Sequence, residues 1–158
     1  MPNHCYNRVS FYSEDTTVIL RLHEIFKTAL DPNDERTVFG QFVPEPNWKT
    51  TPDENGELPI LEEHKNSKGD VVFTTYKFPT SGKTDDRWYS WRLQNWGTKW
   101  DAYEVEIDDS EMHYGFEVTF DTAWSPPEEI CHAIKEQFDD LSVSWFYDEP
   151  GCEFAGYL

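Results

Sequence analysis

Cysteine is scarce in this chain, and its spacing excludes the usual uses of paired thiols. The 158 residues include three cysteines, Cys5, Cys131 and Cys152, and no two of them form a C-x-x-C pair. An odd, unpaired set predicts neither a disulfide framework nor a zinc ribbon, so we expect reduced thiols. The histidines beside them do not share a face with them, because neighbouring residues on a strand or helix point in different directions. We therefore predict no metal site and no cofactor.

Long apolar runs are also missing. No stretch approaches the roughly 20 apolar residues that a membrane helix needs. The opening Met-Pro-Asn-His-Cys has neither the basic start nor the apolar stretch of a signal peptide. We expect a cytoplasmic protein that does not bind membranes.

The sequence lacks the common catalytic motifs. It contains no glycine-rich phosphate loop, no Gly-x-Ser-x-Gly, no His-Glu-x-x-His and no glycine-rich dinucleotide turn. We therefore predict a non-enzymatic protein and assign no catalytic residues.

Positive charge is scarce and unevenly distributed. The chain has 13 Lys and Arg against 31 Asp and Glu, which gives a net charge of −18. Residues 101–158 hold 16 of the acidic side chains and a single basic one, Lys135. A field of this sign repels phosphate, so we predict no direct binding to nucleic acid or to an anionic membrane. A basic protein is the partner that such a charge favours.

Aromatic residues, in contrast, make up 16% of the chain and supply the apolar area of a packed core. The length fits a single domain over residues 1–158. Period-2 alternation and helical spacing predict strand, helix, strand, strand, helix and strand. The predicted strands are Cys5–Tyr12, Ala102–Asp108, His113–Asp121 and Leu141–Tyr147. This order predicts an α+β, ferredoxin-like split βαβ antiparallel sheet with two helices on one face.

A proline-rich segment interrupts the pattern after the first helix. We predict an irregular insertion at about residues 31–87, with a short strand at Val38–Val43 and a better one at Val71–Phe78. A short helix should follow and end at Gly97, where a positive φ is accessible. Near residue 125, Ser125, Pro126 and Glu128 have the spacing of a capping box that begins the next helix.

Four sequence segments resemble one known family. They are Met1-Pro2-Asn3-His4-Cys5-Tyr6-Asn7, Trp91-Arg92-Leu93-Gln94-Asn95-Trp96-Gly97-Thr98-Lys99-Trp100-Asp101, Thr122-Ala123-Trp124-Ser125-Pro126-Pro127, and Glu149-Pro150-Gly151 followed by Phe154-Ala155-Gly156. They are similar to the YubB ferredoxin-like domain family of phage and plasmid proteins. The resemblance implies a ferredoxin-like fold and a mobile-element origin, so the expected cytoplasm is that of a host cell. It assigns no catalytic residues.

The first candidate site is the sheet face that the helices leave open. Alternating carboxylates should line it, and the predicted partner-binding residues are Glu104, Glu106, Asp108, Glu117 and Asp121. Carboxylates on every second strand residue lie about 6.8 Å apart, close to the phosphate spacing along one DNA strand. The preferred hypothesis is therefore an accessory protein that binds a basic host protein, with DNA mimicry as one form of inhibition. The structural alternative is a solvated face that only confers solubility.

The second candidate site is the tryptophan- and arginine-rich segment 87–101. A small-ligand binding module could use its side chains together with a nearby tryptophan, with rings that stack on a ligand and polar groups that orient it. The residues in question are Arg92, Asn95, Trp96, Lys99, Trp100, Asp101 and Trp124. The structural alternative is that these side chains pack the core and satisfy the backbone at a chain reversal.

Overall fold

The computed structural model describes residues 3–110 and 112–158. The chain divides into two compact units, one formed by the chain up to Pro44 together with Arg92–Leu158, and the other by Glu45–Trp91. Glu111, in the predicted hairpin turn, and Met1 and Pro2, in the opening motif, lie outside the described residues.

The first unit contains a five-stranded antiparallel sheet and the ferredoxin-like order of elements. Its strands lie in the order β4-β5-β1-β6-β7, with β1 at the centre. The strands are β1 (His4–Tyr12), β4 (Tyr103–Asp108), β5 (Gly115–Ala123), β6 (Ser142–Glu149) and β7 (Phe154–Tyr157). The helices of the chain are α1 (Thr16–Ala29), α2 (Arg87–Asn95) and α3 (Glu128–Gln137). The predicted α+β fold class is confirmed, and the C-terminal tail adds β7 as an edge strand.

The core of this unit lies between one sheet face and the helices α1 and α3. Alternate residues of β1, Cys5, Asn7, Val9 and Phe11, are buried, while the residues between them are exposed or, at Ser10, half-buried. The rings of Phe11, Phe26 and Phe116 pack with centroids 5.2–6.1 Å apart. Helix α3 contributes Ile130, Cys131 and Ile134 to the buried set. Burial of these apolar side chains is the main force that holds the helices on this face.

One buried polar residue joins the three central strands. The Asn7 amide donates to the carbonyl of Cys5 and to the hydroxyl of Thr122, each at 3.0 Å, and its oxygen accepts from the indole N–H of Trp145 at 3.0 Å. A buried amide is tolerated when its hydrogen bonds are made. This network explains how an asparagine is accommodated within a hydrophobic core.

Several local predictions are corrected by the hydrogen bonds. The predicted strand at Val38–Val43 is wrong: a short 3-10 helix, Phe39–Gln41, occupies it. The capping box at Ser125 is also wrong, because the Ser125 hydroxyl donates to the carbonyl of Gly97 at 2.8 Å and α3 begins without a side-chain cap. The predicted positive φ at Gly97 is confirmed, with φ 82°.

The second unit contains more regular structure than an irregular insertion. Strands β2 (Ile60–Lys65) and β3 (Val71–Lys77) pair antiparallel as a two-stranded sheet. The guanidinium of Arg87 lies over the rings of Trp48 and Phe78, at 5.0 and 5.1 Å from their centroids. It also donates to both carboxylate oxygens of Asp85, at 2.8 and 2.9 Å. Arg87 is thus the organising side chain of this unit.

Candidate functional site: the open face of the sheet

The strand register shows which side chains share the open face. Residues opposite each other in an antiparallel pair lie on the same face. Register pairs Glu106 with Thr119, Asp108 with Glu117, and Tyr103 with Asp121. Four of the five predicted partner-binding carboxylates, Glu106, Asp108, Glu117 and Asp121, therefore share the face opposite the helices.

The fifth carboxylate, Glu104, departs from the predicted ladder. The register of β4 shifts between Tyr103 and Glu106, and Glu104 itself has φ 51°. A residue in such a bulge does not keep the two-residue spacing of its neighbours. The charge of Glu104 nevertheless contributes to raising the pKa of Asp121. The even spacing expected along β4 therefore holds only for Glu106 and Asp108.

The central strand brings aromatic and basic groups into the same face. Register places Tyr6 between Asp121 and Asp148, and Arg8 between Thr119 and Phe146. The Arg8 guanidinium lies 5.4 Å from the centroid of the Phe146 ring. The ring of Tyr157 on β7 lies 5.5 Å from that of Phe146. The open face is thus acidic over β4 and β5, and its other half, over β1, β6 and β7, carries most of the aromatic rings of the face beside Arg8, Asp148 and several serines.

Tyr6, Arg8 and Tyr12 were missed as site residues, although the alternation of β1 already placed them on one side of the strand. What the sequence did not provide was the strand order. Only the register shows that β1 is central and that Tyr6 has a carboxylate on each side.

Two carboxylates of the face have opposite pKa shifts. Partial burial raises the pKa of Asp121; the nearby charge of His4 opposes this shift and that of Glu104 adds to it. The hydroxyl and the backbone N–H of Ser110 lower the pKa of Asp108 by hydrogen bonding to it. Burial also raises the pKa of Tyr103, whose hydroxyl lies 2.6 Å from Nδ1 of His4. A partner that supplied positive charge at Asp121 would relieve the cost of ionising it.

Some polar side chains of the open face already form hydrogen bonds with each other. The Ser10 hydroxyl donates to Oε2 of Glu117 at 3.1 Å. This leaves the second oxygen of Glu117 available to a partner, since a carboxylate accepts several hydrogen bonds.

Among the described residues, no group of three or more His, Cys, Asp or Glu side chains is placed to hold a metal ion. The described part of the chain likewise contains no helix long and apolar enough to cross a membrane.

The tryptophan- and arginine-rich segment has a different set of contacts. Trp96 is buried and its indole N–H donates to the carbonyl of Val43 at 3.0 Å. The Arg92 guanidinium lies 4.7 Å from the centroid of the Trp96 ring. The Lys99 ammonium lies 4.5 Å from that of the partly exposed Trp100. Asn95 ends helix α2, and Trp124 is exposed with φ 71°.

Asp101 holds a loop in place. Its two carboxylate oxygens accept the backbone N–H groups of Val38 and Phe39, at 2.8 and 2.9 Å. Burial raises its pKa, while these hydrogen bonds and the charge of Arg92 oppose that shift. Asp101, Trp96 and Arg92 therefore have structural contacts, and small-ligand binding by this segment stays a prediction.

The segments that carry the family resemblance are joined by hydrogen bonds at one end of the sheet. The Trp124 N–H donates to the carbonyl of Asn3 at 3.0 Å, and the Thr98 hydroxyl donates to the carbonyl of Ala123 at 2.9 Å. The buried Glu149 accepts the N–H of Cys152. A side chain at Gly151 would collide with Asn3. These motifs thus have a shared structural role where β1 begins and β5 and β6 end.

Comparison with known proteins supports the resemblance. Residues 99–158 match the model of a family described as the ferredoxin-like domain in Api92-like protein. This part of the chain resembles the Api92-like ferredoxin-like domain family. Over 70 residues, 44% of the chain, it is 31% identical to the uncharacterized protein YubB of Escherichia coli (strain K12). The match covers 48% of YubB, so the chain spans about half the length of this relative.

A solved structure extends the comparison to the whole fold. The crystal structure of protein api92 from Yersinia pseudotuberculosis is similar over 99% of this chain and 93% of that one, with a TM-score of 0.51 and 12% identity. At this identity the similarity shows the fold alone. The predicted YubB-like family and ferredoxin-like fold are confirmed, and neither determines what the face binds, because one fold supports many functions.

Proposed function

We propose that the chain is a non-enzymatic accessory protein of a phage or related mobile element that binds a basic host protein in the host cytoplasm through the open sheet face. The observation that carries the proposal is the strand register, which places Glu106, Asp108, Glu117 and Asp121 on one outward face. The concentration of acidic side chains in residues 101–158 supports it, since the sign of a field selects partners of opposite charge.

The aromatic half of the face narrows the partner chemistry. Tyr6 is exposed and has Asp121 and Asp148 as its cross-strand neighbours. A guanidinium or ammonium group over a tyrosine ring gains cation–π energy, and an adjacent carboxylate can accept its hydrogen bonds. The face therefore favours a partner segment with arginine or lysine side chains over a free cation.

DNA mimicry is a special case of this proposal. The bulge at Glu104 limits the phosphate-like spacing to Glu106 and Asp108 on β4. Recognition by a DNA-binding groove would then depend on the two-dimensional arrangement of carboxylates on β4 and β5, and such binding should compete with DNA for the same partner. Binding to another basic surface of the partner would leave its DNA binding intact.

The test compares two variants with the same change in charge. One carries Glu106→Lys, Glu117→Lys and Asp121→Lys on the open face. The control carries Glu24→Lys, Glu136→Lys and Asp139→Lys on or next to the helices, where these side chains are exposed. Proteins captured from host-cell lysate at low and high salt are identified, and each purified partner is then titrated with both variants.

We expect loss of partner binding in the open-face variant alone, and weaker binding of the parent chain as salt rises. If both variants lost partner affinity equally, net charge alone would explain the binding, and this would contradict a specific site on the open face. Unchanged affinity in the open-face variant would overturn the proposal. Circular dichroism of both variants verifies that the sheet is intact.

A further inference from the structure

The hairpin β2–β3 exposes an unusual amount of apolar surface. Six apolar side chains on or just before its strands are each between 47% and 62% exposed: Leu58, Ile60, Leu61, Val71, Val72 and Phe73. Single exposed apolar residues are ordinary, but a group of this kind on one small element marks an interaction surface. An isolated two-stranded hairpin is also only marginally stable, so additional strands would stabilise it.

The free backbone edge lies on β3. Towards its C-terminal end, β3 is covered by the following loop, because Thr84 bridges to Lys77 and the Asp85 N–H donates to the carbonyl of Tyr76 at 2.7 Å. Among the described residues, no other strand pairs with the outer edge over Val71–Thr75. Unpaired N–H and C=O groups on such an edge form a template for another strand.

The sequence of this edge is complementary to itself. If two copies pair antiparallel around Phe73, the Phe73 rings face each other, Val72 faces Thr74, and Val71 faces Thr75. Aromatic pairs and pairs of β-branched residues are the favourable cross-strand combinations. No charged residue falls within Val71–Thr75.

The other strand of the hairpin, β2, is not suited to antiparallel pairing with a second copy of itself. Its centre is Glu62-Glu63, so antiparallel self-pairing would place carboxylates opposite each other. Like charges in directly opposed positions are destabilising. β2 thus has the charged protection that edge strands commonly carry, whereas Val71–Thr75 of β3 has no charge and its one irregularity is a register shift that leaves Val72 without a partner on β2.

Charge also favours this part of the chain for contact between copies. Residues 45–91 contain nine acidic and six basic side chains, whereas the rest of the chain contains 22 acidic and seven basic ones. Two copies repel each other least where the net charge is smallest.

We propose that two copies of the chain associate by antiparallel pairing of Val71–Thr75, which joins the two hairpins into a four-stranded sheet in the order β2-β3-β3-β2. Ten strand residues bury less than a standard interface of about 1,600 Å², so the dimer is weak, with a dissociation constant on the order of 10–100 μM. This inference does not depend on the proposed function of the open face.

The experiment uses sedimentation velocity from about 5 to 500 μM on three forms of the full chain. Phe73→Lys and Phe73→Glu each place like charges opposite each other at the two-fold axis, so each alone should weaken self-association at least about tenfold. An equimolar mixture of the two should associate again as a heterodimer, because opposite charges then face each other. Both variants lose the stacking of Phe73 on His64 equally, so misfolding cannot explain rescue by mixing.

The control is Leu61→Lys, which introduces the same charge on β2 at a similarly exposed position. We expect it to dimerise like the parent chain. A parent chain that stays monomeric throughout the concentration range would overturn the proposal, and so would a mixture of the two Phe73 variants that does not associate. Equal weakening by Leu61→Lys would assign the contact to the hairpin faces or to β2 and overturn pairing through β3.

Discussion

At the scale of single residues, Arg87 shows how one side chain can organise a small unit. Besides its pair with Asp85, it donates to the carbonyls of Thr51 and Pro52, at 2.8 and 3.0 Å, while aromatic rings cover its guanidinium. Lysine keeps the charge but cannot reproduce this planar fork of donors. We predict that Arg87→Lys lowers the free energy of unfolding of residues 45–91 by about 2 kcal/mol. Hydrogen exchange of peptides from β2 and β3 measures the change.

A second substitution provides the control for Arg87. Arg36→Lys makes the same change in a pair with Asp34 whose guanidinium is exposed, where we expect a much smaller loss of stability. The hydrogen bonds of Arg87 lower the pKa of Asp85 below its usual 3.8. The ionised pair therefore contributes its full stability well above pH 4, and this contribution is lost as the pH falls through the pKa of the folded state. In Arg87→Lys this acid-dependent loss should shrink; an unchanged pH profile would contradict the assigned role.

At the scale of elements, Gly97 links the end of α2 to the start of α3. Its φ of 82° is in the left-handed region, and a Cβ there would lie 2.9 Å from the backbone nitrogen of Glu128. We predict that Gly97→Ala costs about 2–3 kcal/mol in urea unfolding, from backbone strain plus a clash with rigid backbone. Gly82→Ala is the matched control, because φ is 68° there but no atom lies within 4 Å of the added Cβ. If both substitutions lowered the free energy of unfolding equally, the close contact with α3 would not contribute to the effect of Gly97→Ala.

The elements also show how far sequence alone can predict this protein. Alternation made β1, β4 and β5 predictable, since one face of β1 and of β5 is buried and one side of β4 is half-buried. β2 was missed because Glu62, Glu63 and His64 hide its pattern, and its partner β3 could not be paired without it. The capping box failed because the Ser125 hydroxyl bonds to a carbonyl remote in sequence.

The candidate site was predictable only in part for a related reason. Carboxylates on β4 and β5 could be placed on one face from alternation alone. Their neighbours Tyr6 and Arg8 could not, because cross-strand contacts depend on strand order, and the Glu104 bulge depends on local pairing. Register is a tertiary property, and periodicity within one strand does not determine it.

At the scale of the whole molecule, repulsion arising from the net charge of −18 lowers the stability of the folded chain, and salt reduces this repulsion. Repulsion among like charges destabilises the folded chain, and ions screen it over about 10 Å at 0.1 M. We predict that the thermal midpoint rises by several degrees between about 0.02 and 0.3 M NaCl, measured by circular dichroism at fixed protein concentration. Choline chloride at the same ionic strengths is the control: screening gives a similar rise with both salts, whereas a rise with sodium chloride alone would indicate specific binding of sodium to the carboxylates. A flat midpoint in both salts would mean that the carboxylates are too well solvated to repel one another, and the acidic face would then carry no stored repulsion for a basic partner to relieve.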